Sequence, residues 1–218
     1  MSAPLRIALP QGTIFDETVE ALRTVGLPVA GLTGHRKLLV RDAGVEYVLA
    51  HPSDVPTYVA HGAADIGITG RDVLMESDED VLELVDLGFG VCRFVVAAPS
   101  GSLHRSLDEY QHLGSLEVAT KYPRVAQRHF DRRGIQVEII KLGGAVELAP
   151  QVGLADWIVD LVSTGRTLKE NDLAILEDIA TCSARLIANR ASYARDRQRI
   201  ADLVAKLEAW ARARTAAR

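Results

Sequence analysis

Asp160 and the run Ser163-Thr164-Gly165-Arg166-Thr167 bring a carboxylate, hydroxyls, a glycine and a guanidinium into one short stretch. A turn of small and hydroxyl-bearing residues aims backbone N–H groups and side-chain hydroxyls at one point. Such a concavity suits a phosphate when a helix begins directly after it. Asp160, leading into the turn, is placed to accept hydrogen bonds from sugar hydroxyls or to lie near a metal on the same ligand. The residue types therefore point to a ribose carrying a 5′-phosphate. Ser, Thr and Asp also favour helix caps. The local pattern equally accommodates a cap after a core strand, with Asp160 bonded to backbone.

The element that must position these groups is Trp157–Val162, an apolar run interrupted only by Asp160 and fitting a buried strand. A second candidate opens the chain. Leu5–Pro10 reads as a strand and Gln11-Gly12-Thr13 as a turn. Phe15, Val19, Leu22 and Val25 then recur at helical spacing, with Asp16 and Glu17 in the first turn. This places Gln11–Thr13 beyond a strand's carboxyl end, where α/β proteins hold ligands. Leu38–Val40 and Val45–Ala50 read as a hairpin turned at Asp42-Ala43-Gly44. His51-Pro52-Ser53-Asp54-Val55-Pro56 then opens a helix, with Ser53 as its expected cap. Gly62–Gly70 reads as a helix end, a short strand and another ligand-facing turn at Gly70, after which Asp72 is expected to cap a helix. Lys121 stands at the entry to a helix, where it can meet a phosphate.

The stretch Glu147–Leu168, E-L-A-P-Q-V-G-L-A-D-W-I-V-D-L-V-S-T-G-R-T-L, resembles the signature of the ATP phosphoribosyltransferase family. The positions that meet it are Glu147, Gly153, Ala155, Ile158, Asp160, Thr164, Gly165, Thr167 and Leu168. The likeness extends to H-P-S-D-V-P-T-Y-V (51–59), H-G-A-A-D-I-G-I-T-G-R-D-V-L (61–74), D-L-G-F-G (86–90), A-T-K-Y-P (119–123) and I-I-K-L (139–142). It runs from about Ile7 to Tyr193.

The resemblance implies a two-lobed α/β fold akin to type II periplasmic-binding proteins, with the active site between lobes. It implies joining of N1 of the adenine of ATP to C1 of 5-phosphoribosyl 1-diphosphate, the first step of histidine biosynthesis. The 163–167 turn would then grip the 5′-phosphate and Asp160 the ribose hydroxyls. Glu147 would position ribose or a Mg²⁺-bound group, the Mg²⁺ arriving with the phosphates. Gln11, Gly12, Thr13, Arg36, His51, Gly70 and Lys121 would face ATP or pyrophosphate. Arg36 matches an arginine that the family directs into its cleft; a solvated hairpin edge is the competing reading. Two departures stand out. The family has Lys-Gly-Arg where this chain has Gln11-Gly12-Thr13, and Arg where it has His51. Gln and Thr hydrogen-bond phosphate without supplying charge, and His replaces a guanidinium imperfectly. A homologue that binds nucleotide or phosphoribosyl ligand with little turnover is the alternative these losses favour.

Composition bounds the rest. The chain has 218 residues, 48% hydrophobic and 25% charged, as in soluble globular proteins. A formal charge of −4 argues against general nucleic-acid binding but not against a local phosphate pocket. No signal-like N-terminus and no apolar run of ~20 residues is visible, so a cytoplasmic protein without membrane contact is expected. An intact 147–168 signature and no secretory leader speak against an exported solute-binding protein. Cys92 and Cys182, far apart in sequence and without metal-ligand spacing, read as reduced thiols. A composition shift after Pro99 predicts lobes over 1–99 plus 179–218 and over 100–178. Ser183–Ala188 is expected to pair with Cys92–Ala98, and amphipathic Asp196–Ala213 to pack on the first lobe. Ending soon after one amphipathic stretch, the chain is expected to lack a further ~70-residue regulatory domain. By resemblance it is expected to form a homodimer within a hetero-oligomer, with a regulatory subunit resembling histidyl-tRNA synthetase.

Overall fold

The computed structural model describes residues 3–32, 37–102 and 116–216. The chain divides into two compact units, Met1–Val91 with Ser183–Arg218, and Cys92–Cys182.

The first unit is built on a six-stranded sheet ordered β2-β3-β1-β4-β11-β5. The strands are β1 (Leu5–Pro10), β2 (Leu39–Asp42), β3 (Val45–Ala50), β4 (Ile66–Gly70), β5 (Leu82–Asp86) and β11 (Ala184–Ala188). β3 and β4 both run parallel to β1. Side chains alternate across this sheet, and both faces are covered. Leu5, Ile7, Leu9, Tyr47, Leu49, Ile68 and Leu186 enter the larger core with Val19 and Leu22 of helix α1 (Phe15–Thr24). Ala8, Ala50 and Ile187 face the other way, against Val55 and Val59 of α2 (Val55–Ala60). α2 lies so close to β4 that a Cβ on Gly67 would meet Val59 Cγ2 at 2.8 Å. Small residues on that face are what admit the helix. Helix α3 (Arg71–Ser77) follows β4 directly.

The C-terminal helices, α6 (Arg190–Arg195) and α7 (Arg197–Ala216), complete this unit. Ile200, Leu203 and Leu207 join its main core, as the amphipathic spacing predicted.

Several local expectations need correction. The expected hairpin between β2 and β3 forms and turns on Ala43 and Gly44, both at positive φ, though β2 starts at Leu39 rather than Leu38. Ser53 does not cap α2. A short 3-10 turn, Pro52–Asp54, intervenes, capped by His51, whose Nδ1 accepts from the Ser53 N–H at 3.4 Å. Asp72 lies inside the first turn of α3, and Gly70 holds the cap position.

The second unit carries a five-stranded sheet ordered β10-β6-β9-β7-β8. Its strands are β6 (Cys92–Pro99), β7 (Leu116–Thr120), β8 (Val137–Lys141), β9 (Trp157–Val162) and β10 (Leu173–Cys182). β7, β8 and β9 are parallel, and β6 runs antiparallel to both β9 and β10. Helix α4 (Pro123–Arg132) buries Val125, Ala126 and Phe130, and α5 (Arg166–Glu170) buries Leu168.

The expected lobe boundaries shift accordingly. β6 belongs to the second unit, because its hydrogen-bonded neighbours are β9 and β10. β11 pairs with β4 and β5, not with Cys92–Ala98 as expected. Val146–Leu148 forms a 3-10 turn followed by further turns.

Candidate functional site

The phosphate-type turn stands at the carboxyl end of β9. Trp157, Ile158, Val159 and Val162 are buried and hold the strand in the core, while Asp160 is only partly covered. Gly165, at φ 76°, occupies the cap position of α5. The left-handed conformation suits glycine, and with no side chain there nothing from the cap residue covers the first-turn amides. Ser163, Thr164, Arg166 and Thr167 are exposed. Arg166 is tied to Glu170 one turn on, with Nε donating to Oε1 at 2.7 Å. The backbone N–H of Arg166 lies 3.5 Å from the Thr164 hydroxyl.

Glu147, Asp160 and all five residues Ser163–Thr167 line one pocket of about 120 Å³, closed by Leu161, Val162 and Leu168. Sequence reasoning named every polar member as a site residue and none of the three apolar ones, of which Val162 and Leu168 are also core residues. Glu147 reaches the pocket from the 3-10 turn, which follows Ala145 in the left-handed conformation.

Burial holds the Asp160 carboxyl above the usual carboxylate range. The Leu161 N–H, donating to Oδ1 at 2.8 Å, opposes that shift; the negative charge of Glu147 adds to it and Lys121 counters it. Lys121 gets there through sheet register. β7 ends with Thr120 opposite Val159, so the next residue of each chain is Lys121 and Asp160. Thr120 fixes this end, donating its hydroxyl to the Val159 carbonyl at 2.6 Å and accepting the Tyr122 N–H at 2.9 Å. A cation, two carboxylates and a hydroxyl-lined turn thus converge within the second unit. The arrangement can hold a phosphorylated sugar: donors for the phosphate, acceptors for ring hydroxyls.

The remaining predicted residues lie in the first unit. Gln11, His51 and Gly70 stand at the carboxyl ends of β1, β3 and β4, three adjacent parallel strands. The Gln11 N–H donates to the Ala50 carbonyl at 2.9 Å, fixing it beside the His51 turn. Gln11, Gly12 and Thr13 are exposed, and Gly12 has φ 101°. His51 Nδ1 lies 2.8 Å from the Ser53 hydroxyl. Arg36 falls outside the described residues. The connection after β1 leads to β2 on one side of it and the connection after β3 leads to β4 on the other, the change of direction that opens a ligand crevice at strand ends.

Asp72 is a further candidate here that sequence reasoning assigned only to capping. Its Oδ1 lies 2.0 Å from where a Cβ on residue 70 would stand, so a side chain there would displace the Asp72 carboxylate. Burial raises its pKa, and hydrogen bonds from its own and the Val73 N–H partly offset this. The signal available in sequence was the Gly-x-Asp spacing directly after a strand.

Paired open α/β sheets, each with a ligand-type turn at its parallel strand ends, define a fold shared with solute-binding proteins. The alkanesulfonate-binding protein SsuA from Xanthomonas axonopodis pv. citri, solved with MOPS bound, is similar at TM-score 0.54 and 12% identity, covering 93% of this chain and 72% of that one. The family is narrower than the fold. Residues 51–209 match HisG, the ATP phosphoribosyltransferase family, and this chain belongs to it. An ATP phosphoribosyltransferase of Rubrobacter xylanophilus is 53% identical over 190 residues, 87% of this chain and 88% of that protein. In structure, the ATP phosphoribosyl transferase (HisG:HisZ) complex from Thermotoga maritima matches at TM-score 0.81 and 34% identity, covering 95% of this chain and 98% of that one.

Proposed function

We propose that this chain condenses ATP with 5-phosphoribosyl 1-diphosphate, giving phosphoribosyl-ATP and pyrophosphate and so opening histidine biosynthesis. The observation that carries the site assignment is the single pocket lined by Glu147, Asp160 and Ser163–Thr167. In this reading the turn holds the 5′-phosphate through its hydroxyls and first-turn amides, and Asp160 accepts from the ribose hydroxyls. N1 of adenine attacks C1 of the ribose, and the bond from C1 to the diphosphate oxygen breaks. The attacking nitrogen carries no proton to remove first. Catalysis then rests on orientation and on stabilising the departing pyrophosphate.

Lys121, one residue beyond β7 and close enough to Asp160 to lower its pKa, would act on a phosphate beside Arg166 of the turn. Gln11, Thr13 and His51 would contribute hydrogen bonds rather than fixed charge. Mg²⁺ is proposed to arrive with the diphosphate, needing few protein ligands. The donor set fits such an ion, since the Asp160 carboxyl already feels the Glu147 carboxylate and would be relieved by a divalent charge. When bound, the ion would neutralise charge building on pyrophosphate.

The test is conversion of isotope-labelled ATP with stoichiometric release of pyrophosphate. Tight binding of phosphoribosyl diphosphate without conversion would replace the transferase reading by that of a ligand-binding homologue, which the neutral Gln11–Thr13 turn favours. We further propose a cytoplasmic homodimer that assembles with a regulatory subunit resembling histidyl-tRNA synthetase. The HisG:HisZ complex of the Thermotoga protein supports that reading. Histidine should inhibit the assembled complex and leave the isolated chain largely unaffected, since coupling needs a second site.

A further inference from the structure

Cys92 opens β6 and Cys182 closes β10, and the two stand directly opposite each other in antiparallel register. Residues so opposed project from the same face of the sheet with Cβ atoms about 4.5–5.5 Å apart. Their Cα atoms are about 4.5 or 5.5 Å apart, depending on the hydrogen-bonding position. Both values fall inside the roughly 4.4–6.8 Å Cα window of a disulfide, and closure draws the Cβ atoms together to about 3.5–4.5 Å. The ladder next to the pair is regular, Thr181 facing Arg93. Its register shifts lie farther along, between Ile175 and Glu177 and between Asp178 and Ala180. Access is unequal: Cys182 is buried, whereas Cys92 is partly exposed.

We propose that Cys92 and Cys182 form a redox-modifiable pair that closes to an intrachain disulfide by exchange with a low-molecular-weight disulfide of the glutathione type. The exposed partner reacts first. The Cys92 thiolate attacks one sulfur of the reagent, expels one thiolate and forms a mixed disulfide. The Cys182 thiolate then attacks the Cys92 Sγ and expels the second. Two protein sulfurs are oxidised and the reagent disulfide is reduced to two thiols, which take up the two protons the cysteines release.

The position gives this bond consequences. The chain enters the second unit at Cys92 and leaves it at Cys182, so the disulfide closes that unit's entire chain into one ring. On its other side β6 pairs with β9, Arg93 facing Val162, the residue immediately before Ser163. The staple therefore sits at the strand end that borders the phosphate-type turn. The chemistry itself does not depend on which ligand that turn takes.

The experiment incubates the reduced full-length chain with oxidised glutathione and reads its intact mass without reductant. The expected product is a monomer lighter by two hydrogens, with both thiols lost and both recovered on adding dithiothreitol. Proteolysis should yield the Cys92 peptide linked to the Cys182 peptide. Cys182→Ala should stop at a stable glutathione adduct on Cys92, and Cys92→Ala should leave the buried Cys182 unmodified. The wild-type chain decides the matter even if a variant folds poorly. A product that stops at the glutathione adduct or links separate chains overturns the proposal. So does retention of both thiols under conditions where the denatured chain reacts fully.

Discussion

The Ser163–Thr167 turn leaves β9 and the Gln11–Thr13 turn leaves β1, each at the carboxyl end of a strand with at least one parallel neighbour. Their furnishing is opposite. Around the first stand Asp160, Glu147 and Lys121; burial and the Glu147 charge lift the Asp160 pKa, and Lys121 opposes the shift. The second offers an amide, a glycine and a hydroxyl, all exposed, with His51 beside it held by Ser53. The same strand-end placement thus delivers two ligand-facing positions, and side-chain chemistry separates them most. One is equipped to recognise a phosphorylated sugar. The other is equipped to contact a phosphate without neutralising it.

Removing hydroxyls from the equipped turn should produce the largest effect. Thr164→Ala and Thr167→Ala each delete a donor to a charged acceptor, an expected loss of ~1–3 kcal/mol in phosphoribosyl diphosphate binding per substitution. Calorimetry on both single variants and the double variant measures this. The same pair of changes should leave the melting temperature nearly unchanged, because both side chains are exposed. Unaltered affinity in the double variant would take this turn out of the site.

A structural aspartate provides the counterweight. Asp65 is also partly buried, and burial pushes its pKa up. The Arg6 N–H, the Ser192 hydroxyl and Arg195 outweigh that and hold it below the usual carboxylate range. Its carboxylate thereby ties the start of β1 to the C-terminal helices, at 2.9 Å to the Arg6 N–H and 2.7 Å to the Ser192 hydroxyl. A lowered folded pKa stabilises above the ordinary carboxylate pKa and loses that stability as pH falls through the folded value. Asp65→Asn should cost ~1–3 kcal/mol of stability at neutral pH through its charge-assisted hydrogen bonds. The deficit should vanish in acid. Denaturant midpoints for both proteins across the acid range test this, and a deficit that persists with Asp65 protonated would contradict it.

What was legible in the sequence follows the same division. The pocket residues were legible because one contiguous motif supplies most of them, and a strand followed by a hydroxyl-rich turn dictates where they point. Lys121 joins them only through the register of β7 against β9, a pairing no local pattern states. β10 went unread because Glu177 and Asp178 interrupt its alternation where the strand bulges. The pairing of β11 was misread for a different reason. An apolar strand announces that it is buried but not beside which neighbour, and hydrogen bonds to β4 and β5 decided it. The cysteines, far apart in sequence, meet across a ladder whose second strand had not been recognised.

The under-equipped turn can be challenged by giving it what it lacks. If it faces developing negative charge, Gln11→Lys or His51→Arg places a cation where the transition state gains charge, and turnover rises. The expected gain is severalfold, smaller than the loss at Thr164 or Thr167, since neither side chain is buried and solvent screens the added charge. Steady-state kinetics should show the change in kcat more than in KM. A double replacement with unchanged kcat would place these residues away from the reacting groups.

The smallest expected effect sharpens the comparison most, because its sign is opposite to that at Asp65. Burial, with Glu147 adding to it, makes the ionised form of Asp160 costly in the folded protein. A carboxyl whose folded pKa is raised favours folding below its ordinary pKa and loses that contribution as pH rises through the folded value. At neutral pH its charge therefore works against the fold. Asn keeps the shape and an oxygen to accept the Leu161 N–H, but carries no charge to desolvate. Asp160→Asn should raise the melting temperature slightly at neutral pH, with the gain fading toward acid. It should at the same time weaken phosphoribosyl diphosphate binding, since a neutral amide is the poorer acceptor for ribose hydroxyls. Thermal melts with and without ligand read both quantities on one sample. Destabilisation of the unliganded variant at neutral pH would mean that Asp160, like Asp65, is held for the fold rather than for a ligand.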